Sequence, residues 1–173
     1  MMGDVVRNDT ATVEQSYLEC ERIARESSSS FLRAFKPLPR AKRDGIKALY
    51  AFCRRADDVA DGDWLPDFSS FTPQQMGSLR LRALQRSKYL DEKHRSRGTL
   101  DHEAHITKLC ALIYLRDNIQ EVVNDNFPKE KFFLAFWDTI EKFDIPAQHL
   151  HSLIDGMEDD LYPTNYRTYE DLQ

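Results

Sequence analysis

Asp57 and Asp61 stand four residues apart in the run Arg54-Arg55-Ala56-Asp57-Asp58-Val59-Ala60-Asp61-Gly62. On a helix that spacing sets the two carboxylates about 40° apart and one turn from each other. Two solvated acids so placed repel by a few tenths of a kcal/mol. They also fall in a last turn, whose carbonyl end favours cations. A divalent cation reverses both penalties. Mg²⁺ takes hard oxygen ligands, keeps several waters, and binds through one or two carboxylates together with substrate phosphates. Arg54, one turn earlier on the same sector, is placed to hold anionic oxygens, and Tyr50 continues the stripe. An acidic pair also serves simply to solubilise a helix end, and spacing alone leaves the two readings level.

The element that must position these groups is a helix from near Arg40 to Gly62, carrying Ile46, Leu49, Cys53, Ala56 and Ala60 as its apolar stripe. The acids are expected at the edge of that buried face, with Asp58 turned further away and Arg55 further still. A helix over about Val13–Glu26 precedes it, with Tyr17, Cys20, Ile23 and Ala24 inward. Pro37 and Pro39 break the chain between the two. After a turn-rich loop come a basic helical stretch from Ser78 to Leu90, a polar connection, and a strong helical pattern from Ile106 to Val123. A further pattern from Lys129 to Phe143 is stopped by Pro146, and a short helix to Leu161 is expected to bend near Gly156. Thr168 and Asp171 fit the start of another helix. Period-2 alternation is absent and glycine is scarce, so the chain reads as all-α.

Composition narrows the function classes. The 173 residues are 41% hydrophobic and 31% charged, as in an ordinary soluble domain. A net charge of -5 argues against a general nucleic-acid binder. No run approaches the length of a membrane span, and residues 1–12, expected to be disordered, have no signal-peptide pattern. Cys20, Cys53 and Cys110 are widely spaced, as free thiols of a cytoplasmic protein would be, and no zinc site is expected.

The context of the acidic pair is more specific than its spacing. Ser28, Ser30 and Phe31, then Leu38-Pro39 with Arg43, then Ala48-Leu49-Tyr50-Ala51-Phe52-Cys53-Arg54, then Asp57-Asp58 and Asp61 resemble the head of the squalene/phytoene synthase family. Leu153-Ile154-Asp155-Gly156-Met157, followed by Asp160-Leu161 and later Tyr166-Arg167-Thr168, resembles a second family segment in the right order. The resemblance implies an isoprenoid-synthase-type helical bundle around a central cavity. It implies head-to-head condensation of two allylic prenyl diphosphates, farnesyl or geranylgeranyl, through diphosphate ionisation and a cyclopropyl intermediate. Asp57 and Asp61 would be the Mg²⁺ ligands, with Asp58 supporting them as part of the catalytic motif. Ser28, Ser30, Phe31, Tyr50 and Arg54 would bind substrate. NADPH would be needed only for a squalene product. A non-catalytic, synthase-like binding or assembly factor is the alternative, and the repulsive acid pair weighs against it.

Other clusters read more plainly. Asp117 and Glu121 beside Arg116 form a surface face, and Asp155, Glu158, Asp159 and Asp160 a solvated turn that could instead face the cavity. The pairs His102/His105 and His149/His151 read as exposed. Phe132, Phe133, Phe136, Trp137 and Ile140 are expected in the core. Arg80, Arg82, Arg86 and Lys88 form a solvated face, with peripheral membrane contact as the sharper view. The family's tyrosine element and its second Asp motif would follow Gln173, so the domain spanning 1–173 is expected to be an N-terminal portion. The 173-residue chain is therefore expected to be inactive. Turnover of farnesyl diphosphate, assayed with Mg²⁺ and with NADPH supplied or withheld, would overturn this expectation.

Overall fold

Pro39 adopts an extended backbone (φ -52°, ψ 148°) and caps a helix that runs from Arg40 to Asp61. Gly62 ends that helix in the left-handed region (φ 89°), where a side chain would be strained, and returns its N–H to the Asp58 and Val59 carbonyls. The computed structural model describes residues 10–27, 29–94, 102–119 and 129–162. They form seven α-helices: α1 Thr10–Ser27, α2 Ser29–Ala34, α3 Arg40–Asp61, α4 Pro73–His94, α5 His102–Asp117, α6 Phe133–Phe143 and α7 Ala147–Asp160. No strand occurs among the described residues, as the helical period predicts. None of the described helices is long and apolar enough to cross a membrane.

The boundaries differ from the sequence reading in instructive places. α1 begins at Thr10, and the short α2 over the serine-rich run was not expected. α4 is longer than the basic stretch at both ends. Its start is a reciprocal cap: the Gln75 N–H donates to Thr72 Oγ1 at 3.2 Å, while the Thr72 N–H donates to Gln75 Oε1 at 2.7 Å. α7 runs through Gly156 as one continuous helix, so the expected bend is absent. Thr168, Asp171 and Glu121 lie outside the described residues.

α3 is the hub, packed against α1, α5, α6 and α7. Its buried residues are Gly45, Ala48, Ala51, Phe52, Ala56, Asp58 and Val59. The expected stripe is therefore rotated: Ile46, Leu49, Cys53 and Ala60 are only half-buried. The small side chains let neighbouring helices approach closely, while Phe52 fills the gap and stacks on Phe136 with ring centroids 4.3 Å apart. Ile46 and Leu49 instead line an apolar pocket of about 270 Å³ with Leu38 and the α6 residues Thr139 and Phe143. Phe132, Phe133, Phe136 and Trp137 are buried in the core, as expected. α1 is tied to α6 by the Tyr17 hydroxyl, which donates to Asp138 at 2.5 Å, and by the Ala135 N–H, which donates to Ser16 Oγ at 2.7 Å.

A second layer joins α4, α5 and α7. α5 is buried almost all round, from His105 to Leu115, as befits a helix with little polar face. The acidic cluster of α7 is helical, and while Asp155, Asp159 and Asp160 keep contact with solvent, Glu158 does not. Glu158 is completely buried. Its Oε2 accepts from Arg86 Nη2 at 2.5 Å and lies 3.2 Å from Arg116 Nη2. Asp155 accepts from the same two guanidinium groups at 3.0 and 2.7 Å. Arg80, Arg82 and Lys88 are exposed, as expected of a solvated face, and Arg80 and Arg82 also pair with Glu103 and Asp117 of α5, so the basic stretch links helices as well. His105 is buried, not exposed, and its Nε2 lies 3.0 Å from the Tyr162 hydroxyl.

Two consequences can be measured. Replacing Glu158 by Ala leaves two guanidinium groups short of a partner. It is expected to cost about 2–3 kcal/mol in urea unfolding, below the full penalty for a broken buried pair because Asp155 remains. Asp155→Ala, at a half-exposed site, should cost under about 1 kcal/mol. Burial also holds the His105 imidazole below its ordinary pKa. On acidification the unfolded chain takes up that proton first, so stability should fall as pH drops below about 6.5, until the folded group protonates as well. Comparing urea midpoints of the wild type and His105→Gln across this range checks the assignment, since the variant should show a shallower pH dependence.

Candidate functional site

The last two turns of α3 and the residues just after it hold the charged groups singled out by the sequence. At 100° per residue, Tyr50, Arg54, Asp57 and Asp61 lie roughly opposite the buried arc of Ala48, Phe52, Ala56 and Val59. The expectation that the acids flank the buried face is therefore corrected. They open toward solvent: Tyr50, Arg54 and Asp57 are half-buried and Asp61 is exposed. The reason is the rotation of the helix that burying Phe52 requires.

Asp58 departs furthest from expectation. It is 6% exposed, the most buried acid of the motif, and both its carboxylate oxygens are taken. Arg54 Nη2 meets Oδ1 at 2.6 Å and Arg55 Nη1 donates to Oδ2 at 2.9 Å. Arg54 also reaches forward, its Nη1 donating to Asp57 Oδ2 at 2.7 Å. These are i, i+3 and i, i+4 pairs, which a helix supports without outside help. Arg55 is held from its other side by the Trp64 ring, 5.1 Å from its guanidinium carbon to the ring centroid. Arg54 Nε is shielded from solvent and has no partner among the described residues.

The carbonyl end of α3 is satisfied separately. The Asp58 carbonyl accepts from the N–H groups of Gly62, Asp63 and Trp64 at 3.0, 2.8 and 3.2 Å. Lys108 of α5 donates its Nζ to the Ala60 carbonyl at 2.7 Å. A cation thus sits where the helix dipole favours one, next to Asp61 in sequence but delivered from another helix. Sequence reasoning missed Lys108 and Trp64. The Arg55–Asp58 pair was visible in the i, i+3 spacing.

The residues present fit a hard divalent cation. Asp57 and Asp61 would supply carboxylate oxygens on the open face, and the Arg54 guanidinium beside Asp57 suits an anion that would share it. Among the described residues no group of three or more His, Cys, Asp and Glu is arranged to hold a metal ion. Two carboxylates alone would leave most of such a cation's shell to other oxygen donors. Ser28, and the side chains of Ser30 and Phe31, lie outside the described residues. Cys20, Cys53 and Cys110 are free thiols, and burial pushes the Cys20 thiol up to about 12.

Comparison with known proteins gives one consistent result. The family model described as squalene/phytoene synthase matches residues 24–173. The chain is 27% identical over 163 residues to the 15-cis-phytoene synthase of Synechocystis sp., covering 94% of this chain and 36% of the relative. It is 27% identical over 160 residues to the phytoene synthase of Mycobacterium tuberculosis, covering 92% of this chain and 39% of the relative. For the chloroplastic phytoene synthase 2 of Solanum lycopersicum the identity is 20% over 168 residues, covering 97% and 41%. The chain thus spans well under half the length of these curated relatives. No solved structure gives a significant match.

Proposed function

The chain belongs to the squalene/phytoene synthase family, and from that premise we propose that it carries the first cation and diphosphate site of a prenyltransferase. That enzyme joins two allylic prenyl diphosphates, farnesyl or geranylgeranyl, head to head. The names of the relatives favour a phytoene-type product. The reading rests on one observation above the others: the open face of α3 presents Asp57 and Asp61 one turn apart, with Arg54 already engaged at Asp57.

Each residue of that face has a part. Asp57 and Asp61 hold Mg²⁺, which when bound offsets charge on the departing diphosphate. Arg54 holds diphosphate oxygens through charge-assisted hydrogen bonds, which are stronger than neutral ones. By the family resemblance Ser28 and Ser30 are assigned to the same diphosphate, and Phe31 and Tyr50 to the substrate. Fixed donors at the place where negative charge builds up stabilise ionisation more than mobile water does. The allylic cation left behind must be kept from water, a task for apolar side chains around the prenyl chain.

Calorimetric titration of the chain with inorganic diphosphate in the presence of Mg²⁺ tests the site without requiring turnover. Asp57→Asn is expected to weaken binding by on the order of tenfold or more, as loss of a charged partner does. Binding of equal strength in the variant would remove the basis of this reading.

A further inference from the structure

The acidic motif presents three carboxylates in five residues, yet they are not equivalent. Asp57 and Asp61 face solvent, while Asp58 is buried with one guanidinium group on each oxygen. A cation could reach Asp58 only by breaking a shielded ion pair and displacing Arg55 from the Trp64 ring. Such pairs are costly to break from one side. Asp58 therefore has no free oxygen to lend.

Arg54 is the group that Asp58 governs. Its two terminal nitrogens are split, Nη1 on Asp57 and Nη2 on Asp58. A guanidinium group released from Asp58 would be free to take Asp57 in the two-pronged geometry that arginine favours. It would then occupy the carboxylate that the cation needs. We propose that Asp58 is a positioning residue: by holding Arg54 Nη2 it limits Arg54 to a single contact on Asp57 Oδ2, leaves Asp57 Oδ1 to the divalent cation, and sets Arg54 beside it as the anion contact. This rests on the reading of Asp57 and Asp61 as cation ligands.

Charge balance gives the arrangement a consequence. Asp57, Asp58 and Asp61 against Arg54 and Arg55 leave the face with a small negative charge. A divalent cation turns it positive, and a diphosphate corrects the excess. Cation and diphosphate should each tighten the other's binding, with Arg54 as the link.

Mn²⁺ binding to the chain, followed by electron paramagnetic resonance with and without inorganic diphosphate, tests this directly. The wild type should bind Mn²⁺ more tightly when diphosphate is present. Asp58→Asn should weaken Mn²⁺ binding by on the order of tenfold, the effect of one charge-assisted contact. Adding Arg54→Gln to that variant should bring Mn²⁺ affinity back to near the wild-type value, because the competitor is gone. Arg54→Gln alone, which leaves the Asp58–Arg55 pair intact, should lose the diphosphate effect without weakening Mn²⁺ binding, and it serves if Asp58→Asn does not fold. The proposal is overturned if Asp58→Asn binds Mn²⁺ normally, if Arg54→Gln fails to restore it, or if Arg54→Gln alone keeps the diphosphate effect. Unchanged Mn²⁺ binding in Asp57→Asn identifies the other failure, that of the cation-ligand reading itself.

Discussion

Phe52 lies against Phe136 at 4.3 Å and edge-on to Phe133 at 6.4 Å, and it is fully buried. Ala48 and Ala56, one turn before and after it, are also without solvent contact. This large residue between small ones determines how α3 is rotated in the bundle, since only one orientation fills the space between α1 and α6 without a void. The orientation of every charged group at the end of α3 follows from it. With Phe52 inward, Tyr50, Arg54, Asp57 and Asp61 must face outward. Packing of an aromatic core thus decides where a polar site can be.

The same rotation brings Asp58 inside, and a buried carboxylate is costly unless it is paired. Arg54 and Arg55 supply the pairing from within the helix, and Trp64 closes over Arg55 from the chain just past Gly62. The dipole conflict posed by acids in a last turn is resolved twice over. Asp58 is neutralised locally, and Lys108 brings a positive charge to the Ala60 carbonyl from α5. Asp57 and Asp61 remain as the outward acids.

Away from that site, the α4–α5–α7 layer is held by charge as well as by apolar contact. Arg86 and Arg116 share Glu158 and Asp155, while Lys93 and His94 meet Asp159. The His94 ring stacks on Tyr162 at 4.7 Å, and the Tyr162 hydroxyl donates to Asp91 at 3.0 Å. Ion pairs that bury a carboxylate such as Glu158 contribute little net stability over apolar packing of equal volume. What they do supply is register, because Glu158 must lie level with both guanidinium groups. Met157 and Leu161, neighbours of Glu158 in the second family-like segment, take their places in or against the core from that register.

The sequence by itself determined much of this: the all-α class, the limits of α3 at Pro39 and Gly62, the family, and the one-turn spacing of Asp57 and Asp61. Each rests on local chemistry, whether a fixed φ, a left-handed cap or the pitch of a helix. Thr72 and Gln75 belong there too, since a capping box is a local pattern. The tertiary structure alone decided which side of α3 is buried, that Asp58 is inside, and that Glu158 is an ion-pair centre instead of a solvated acid. It alone brought Lys108 to Ala60, 48 residues away, and Arg86 to Glu158, 72 residues away. Helical periodicity limits which residues share a face. It carries no information on which face meets which neighbour, because that choice is made by how side-chain volumes and charges from distant segments fit together.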